Sequence, residues 1–230
     1  MESSTPSFGD VARAFASFVV DSALELLAPL RCASCEERVG PKALFCESCA
    51  PSTHRIRPWD ERTAGHLSVF EYGGAVSTAI ARYKYSGRSD LGPRFGKAMA
   101  HAARQLRSAV DVVVPVPLHP RRLVERGYNQ AALLAAPIAR ALCVEHLPRA
   151  LVRTRDTPKQ ASLERIDRLS NVQGAFIARP RARRRLAGQR VLLVDDVRTT
   201  GATLEECAIA LQKGGARQVM AFVLATRLKI

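Results

Sequence analysis

The sequence predicts an α/β fold with a small metal-binding module ahead of it. Three observations carry that expectation. Short apolar runs such as Asp111–Val114 and Val191–Val194 alternate with helix-forming stretches. Cys32, Cys35, Cys46 and Cys49 fall in the spacing C-x2-C-x10-C-x2-C. The run from Val191 to Thr203, Val-Leu-Leu-Val-Asp-Asp-Val-Arg-Thr-Thr-Gly-Ala-Thr, passes from a buried strand through an acid pair and a hydroxyl-rich turn into a helix. The chain divides accordingly into 1–28, an amphipathic helix, 29–58, the metal module, and 64–230, the α/β domain.

A chain of 230 residues, 47% of them hydrophobic, has room for one α/β core and a small accessory module. No uninterrupted apolar run reaches the ~18 residues of a membrane span. Asp10, Arg13, Asp21 and Glu25 interrupt the amino-terminal apolar stretch, so a signal peptide is not expected and a cytoplasmic location is. Thirty-five Lys and Arg against 21 Asp and Glu leave a net charge of +14. A surplus of that size suits polyanions, either nucleic acid or a pyrophosphate-bearing substrate. An arginine-rich, well-solvated surface explains it equally well. The densest cluster, Arg179 to Arg185, precedes a strand and reads as an exposed loop.

Along the chain, Phe8, Val11, Phe15, Phe18, Val19, Leu26 and Leu27 have the spacing of an amphipathic helix that Pro29 ends. In the module each C-x2-C turn sets two thiolates on one side of a knuckle, and two knuckles close a tetrahedron around Zn²⁺. A closed set of four thiolates leaves no open position, so such a zinc is structural. Disulfides are the alternative, in an oxidising compartment. His54 and His66 read as surface residues, and Cys143 and Cys207 as buried thiols in helices.

His66–Tyr72 then reads as a strand, Val76–Tyr85 as a helix carrying Arg82 and Lys84, and Phe95–Arg107 as a second helix. Pro115, Pro117 and Pro120 stop the ladder after Asp111–Val114, and the loop down to Gln130 presents Arg121, Arg122 and Arg126. It lies past a strand's carboxyl end, where open α/β sheets bind ligands. Tyr128–Leu142 and Leu204–Lys213 complete the expected helices.

The turn at 195–203 is the richest in chemistry. A strand–loop–helix turn points backbone N–H groups and the positive end of a helix at one spot, which suits a phosphate. Gly201 allows close approach, and Thr199, Thr200 and Thr203 offer hydroxyls. Asp195 and Asp196 stand ready to accept hydrogen bonds from sugar hydroxyls, so a ribose 5-phosphate fits both halves. Neither G-x-G-x-x-G nor G-x-x-x-x-G-K-[ST] occurs in the chain. Response-regulator receivers also pair aspartates, but near the amino terminus and without the Thr-Thr-Gly-Ala-Thr turn. A plain polar turn is the bland alternative.

This segment resembles the phosphoribosyl pyrophosphate (PRPP) motif of the type I phosphoribosyltransferases. The string Pro-Val-Pro-Leu-His-Pro-Arg-Arg-Leu-Val-Glu-Arg-Gly-Tyr-Asn-Gln, from Pro115 to Gln130, resembles the signature of the ComF family, which joins a zinc ribbon to a phosphoribosyltransferase domain. Arg153-Thr-Arg-Asp-Thr-Pro-Lys-Gln-Ala-Ser-Leu163, with Arg168, Asn171 and Gly174-Ala-Phe176, is similar to the family's flexible-loop segment. Tyr72 and Lys84-Tyr-Ser-Gly-Arg88 match a further element. The likeness covers about 66–226, and the cysteines extend it to about 30. Many members of the family carry further cysteine pairs; this chain has one set of four, which leaves a second zinc in doubt.

The resemblance implies a type I phosphoribosyltransferase fold, a mostly parallel sheet flanked by helices, with a small amino-terminal zinc ribbon, and a role for each matching residue. Asp195 and Asp196 would hold the ribose 2- and 3-hydroxyls, directly or through Mg²⁺. Thr199, Thr200, Gly201, Ala202 and Thr203 would cradle the 5-phosphate. Pro117 and Leu118, with Arg121 and Arg122, would meet the pyrophosphate. Arg153, Arg155 and Lys159 would close over it, and Lys84 would join the PRPP site. Asp195, Asp196, Arg121, Arg122 and Arg155 are then the candidate catalytic residues. The implied function is a PRPP-binding protein that takes part in DNA uptake, with single-stranded DNA and the uptake machinery as candidate partners. Two others stay open: a metabolic transferase acting on a nucleobase or amine, and a non-catalytic regulator that senses PRPP.

Overall fold

The computed structural model describes residues 29–57, 60, 63, 65–156 and 172–228. The expected helix over 8–28 and the positions Lys159, Arg168 and Asn171 lie outside them.

The apolar runs build the centre of the molecule. β2 (Val112–Pro115) and β6 (Arg190–Arg198) lie side by side and parallel, Val112 to Pro115 opposite Val191 to Val194. β7 (Gln218–Thr226) flanks β6, β1 (Leu67–Glu71) lies outside β7, and the short β3 (Glu145–His146) outside β2. All four pairings are parallel, in the order β1-β7-β6-β2-β3. Both faces of such a sheet must be covered, which is why its central strands read as unbroken Val/Leu runs rather than alternating.

One face carries α1 (Gly74–Tyr85), α2 (Leu91–Ala103) and α4 (Gln130–Leu142), whose apolar stripes share a core with Phe70, Val113, Leu192 and Phe222. Leu91, Phe95, Met99 and Ala103 recur every fourth residue along α2 and are all buried. Two glycines set how closely α2 and α4 pack. A Cβ on Gly92 would lie 2.8 Å from the Leu133 Cβ, and one on Gly96 2.8 Å from the Pro137 ring. The other face carries α6 (Ala202–Lys213) and an antiparallel ribbon of β4 (Leu151–Arg153) and β5 (Phe176–Ala178).

Several expectations change. The loop after β2 contains a helix, α3 (Pro120–Arg126), because Pro120 at its first turn has the fixed φ a helix needs and lacks a donor that would go unused there. Gly127, at φ +80°, ends it. The run at 179–185 is not a loop either. It folds as a 3-10 turn, Pro180–Ala182, and a single α turn, α5 (Arg183–Leu186), anchored by the fully buried Leu186. Cys207 is buried, but Cys143 is exposed at the carboxyl cap of α4, with φ +57°. His66 is buried rather than superficial, its Nε2 lying 3.0 Å from the Thr226 hydroxyl. The helices begin earlier or later than their apolar spacing indicates: α1 at Gly74, α2 at Leu91, α4 at Gln130. β6 continues through the acid pair to Arg198 because β7 keeps pairing with it, Val197 opposite Ala225 and Arg198 opposite Thr226.

The cysteine module packs directly on this domain. Ala33 is part of the α1/α2/α4 core, Leu44 and Phe45 lean against it, and the Phe45 ring meets Phe70 edge-on with centroids 6.1 Å apart. The Arg94 guanidinium donates to the carbonyls of Arg31 (2.7 Å) and Ala43 (2.6 Å), tying α2 to the module's backbone.

Candidate active site

The carboxyl ends of β1, β2, β6 and β7 open into one cavity of about 650 Å³. Its floor is the acid pair near the end of β6. Asp196 is 6% exposed, and its Oδ1 receives the Lys84 ammonium of α1 at 2.7 Å. Asp195 turns back, its Oδ1 accepting the Asp196 backbone N–H at 2.8 Å. Burial, and then the neighbouring Asp196 charge, push the Asp195 carboxyl up to about 7; Lys84 and Arg153 act against them. Burial pulls the Lys84 ammonium down, but Asp196 and then Asp195 outweigh it and hold the group above the ordinary lysine value. Two adjacent acids thus share one resident cation, and a second positive charge or a hydroxyl donor at Asp195 would relieve the strain between them.

Past β6 the backbone turns at Thr199–Gly201 into α6. Gly201 takes φ +96°, a left-handed conformation that costs a side-chain-bearing residue dearly, and a Cβ there would come within 2.9 Å of the Arg198 guanidinium. A hollow of about 20 Å³ lies against this turn, lined by Asp195, Thr199, Gly201 and Thr203 among others. The amino end of the 12-residue α6 begins beside it, the positive end of the helix dipole. The Thr200 hydroxyl accepts from the Ala202 N–H at 3.5 Å.

Of the residues singled out in the sequence, Lys84, Pro117, Leu118, Arg122, Asp195, Asp196, Thr199 and Thr203 line the cavity, and Gly201 lines the hollow. Thr200 and Ala202 line neither. Arg121 has a side chain 74% exposed, paired with Glu125 at 3.4 Å and Asp156 at 3.7 Å, and does not border the cavity. Arg155 bonds to the Gln173 carbonyl and does not border it either. Arg153 does: it is 7% exposed, lies over the Phe176 ring at 5.4 Å, and burial holds its guanidinium below the ordinary range.

Two further cavity residues stand out. Arg227, one residue beyond β7, lies over the Tyr72 ring at 5.3 Å. Its place past a strand's carboxyl end is a rule-based pointer that could have found it. Gln130, at the start of α4, is 2% exposed, and among the described residues its Nε2 has no hydrogen-bond partner. It closes the Pro115–Gln130 string, which pointed to the family but gave this residue no role of its own.

The four cysteines of the module form the one group of metal-ligand type among the described residues. Their Sγ atoms lie within 4.8 Å of one another, Cys35 and Cys46 3.4 Å apart. Thiolates around a tetrahedral zinc stand roughly 3.8 Å apart, given Zn–S bonds of ~2.3 Å, so the set fits that ion. The Cys46 N–H donates to the Cys32 sulfur at 3.4 Å, as expected of a thiolate held in a knuckle. No disulfide links the described cysteines.

A family model described as "Phosphoribosyl transferase domain" matches residues 91–229. The chain is 31% identical to the DNA utilization protein YhgH of Escherichia coli K12, over 84% of this chain and 88% of that one. It is 30% identical to competence protein F of Haemophilus influenzae (84% and 83%) and 28% identical to competence protein ComFC of Streptococcus pneumoniae (84% and 86%).

Proposed function

The chain belongs to the phosphoribosyl transferase domain family and, with its competence-protein relatives, to the ComF type, and from that premise we propose that it binds PRPP with Mg²⁺ in the cavity above β6 and serves in the handling of DNA. One observation carries the first part: an acid pair, a positive-φ glycine turn and a helix amino terminus meet on one rim of a basic cavity. In this reading the Thr199–Thr203 turn receives the 5-phosphate at the positive end of α6. Asp195 and Asp196 accept from the ribose hydroxyls. The loop at Pro117 and Leu118, with Arg122, faces the pyrophosphate.

Transfer would break the bond between C1 of the ribose and the pyrophosphate oxygen and form one from C1 to an acceptor. Positive charge grows on the sugar and negative charge on the leaving group. The carboxylates beneath the ribose favour the first, Arg122 and Arg153 the second, and no protein nucleophile is needed. When bound, Mg²⁺ supplies further charge neutralisation for the pyrophosphate. The four thiolates Cys32, Cys35, Cys46 and Cys49 would hold one structural zinc, which takes no part in this chemistry.

Titration calorimetry with PRPP and Mg²⁺ tests the binding, and a screen of nucleobases, amines and oligonucleotides for pyrophosphate release tests turnover. Heat of binding with no release in any arm would favour the PRPP-sensing regulator, and release with a nucleobase the metabolic transferase. The names of the relatives and the net charge of +14 support the DNA part. Affinity for single-stranded DNA is expected to fall steeply with salt as counterions are released, and neutralising Arg183, Arg184 and Arg185 together to flatten that slope with PRPP affinity unchanged. No DNA binding at low salt would contradict it.

A further inference from the structure

Glu36 follows the first cysteine pair directly. The knuckle sets its backbone: φ is +68°, and its N–H donates to the Cys32 carbonyl at 3.2 Å. From there its Oε1 meets the NH1 atoms of Arg82 at 2.7 Å and Arg88 at 2.8 Å. Arg88 is gripped on its other side by Asp90, at 2.8 and 2.9 Å.

Arg82 and Lys84 stand two residues apart on α1, so their side chains leave the helix about 200° apart. One faces the knuckle and the other the acid pair. Tyr83, between them, is fully buried and donates its hydroxyl to the Gln130 carbonyl at 2.9 Å. The last turn of α1 is therefore clamped between the metal module on one side and Asp196 on the other. Arg94 fastens the same module to α2. Nothing in the chemistry of a structural zinc requires such a clamp on a cavity residue.

We propose that Glu36 is a positioning residue for the PRPP site: through Arg82 and Arg88 the zinc-bound knuckle aims Lys84 at Asp196, so that zinc occupancy and PRPP affinity are coupled. This rests on the reading of the cavity as a PRPP site. Coupling between two binding sites is reciprocal, so PRPP must in turn hold the zinc more firmly.

The test uses the full, zinc-loaded chain, with Glu36→Gln, Lys84→Met and the double variant. Zinc content, PRPP affinity by calorimetry, and the rate of zinc transfer to a chromogenic chelator are measured on each. Glu36→Gln is expected to keep its zinc and to bind PRPP about tenfold more weakly, within the usual range of coupling between sites. Added to Lys84→Met it should cost less than about twofold more, because its effect passes through Lys84. Mg²⁺ and PRPP should slow zinc transfer in the wild type and leave the rate in Glu36→Gln unchanged. Unaltered PRPP affinity in Glu36→Gln, or the same loss with Lys84 absent, overturns the proposal. If Lys84→Met binds too weakly to titrate, the transfer rates decide alone, and equal slowing in wild type and Glu36→Gln overturns it. A wild type that binds no PRPP overturns the underlying reading, and is recognised before any variant is made.

Discussion

Gly201 is the residue on which the proposed phosphate site turns, because its φ of +96° and the crowding by Arg198 act together. A β-branched side chain there is strained by the backbone alone, and relief requires the turn to open. Gly201→Val is expected to abolish PRPP binding in calorimetry while the α/β core stays folded by circular dichroism; normal affinity would put the phosphate elsewhere. Asp111 makes a different kind of statement. The Arg190 guanidinium and backbone N–H hold its carboxyl down at about 2, against an ordinary 3.8. A depressed carboxylate stabilises the fold above its unfolded value and loses that contribution as pH falls through the folded one. The midpoint of thermal unfolding should therefore fall between pH 3.8 and about 2 more steeply in the wild type than in Asp111→Asn. Parallel curves would mean that this pair does not contribute.

At the scale of elements, the packing of α2 on α4 depends on the absence of a side chain. A methyl at Gly92 meets Leu133 and the Tyr83 hydroxyl, both at 2.8 Å, in a region where Tyr83 and Leu134 are fully buried. Gly92→Ala gains some helix propensity but overpacks this contact, and overpacking typically costs about 1–3 kcal/mol. Urea unfolding is expected to show a net destabilisation in that range, and a stabilised variant would show that the helices separate easily. The elements also separate what the sequence made legible from what it did not. The turn at 191–203 could be read because strand, acids, hydroxyls and helix are contiguous, and backbone geometry alone makes them converge. The cysteine spacing could be read for the same reason. β3, β4 and β5 could not: two or three residues carry no periodicity, and they are strands because of the neighbours they find. α3 was hidden by the prolines at and before its start, since a proline stops a strand and starts a helix with equal ease.

In the molecule as a whole, the cavity draws on segments that only the order β1-β7-β6-β2-β3 brings together. Arg227 reaches the site because β7 lies beside β6, and Gln130 because α4 packs behind β2. Local sequence holds neither fact. The expectations for Arg121 and Arg155 followed string resemblance and, for Arg121, its place past a strand's carboxyl end, whereas their side chains are engaged with Glu125, Asp156 and the Gln173 carbonyl, away from the cavity wall. Assembly also changes what the cysteine module means. Since Ala33, Leu44 and Phe45 rest on the main core, the module is not an appendage that can be lost without effect. The protein is expected to carry about one zinc per chain, bound by four thiolates. Cys46→Ser should release it and lower the unfolding temperature of the whole chain. An unchanged melting curve in the metal-free variant would mean that the module unfolds independently.

Amide hydrogen exchange with and without PRPP and Mg²⁺ tests the central claim most directly, because it reports where the ligand sits without presuming turnover. The account predicts slowed exchange concentrated at the β6–α6 turn, residues 195–206, and at the loop after β2, residues 116–122, with the far ends of the same strands unaffected. Slowing confined to other segments, or none at all at saturating PRPP, would contradict it.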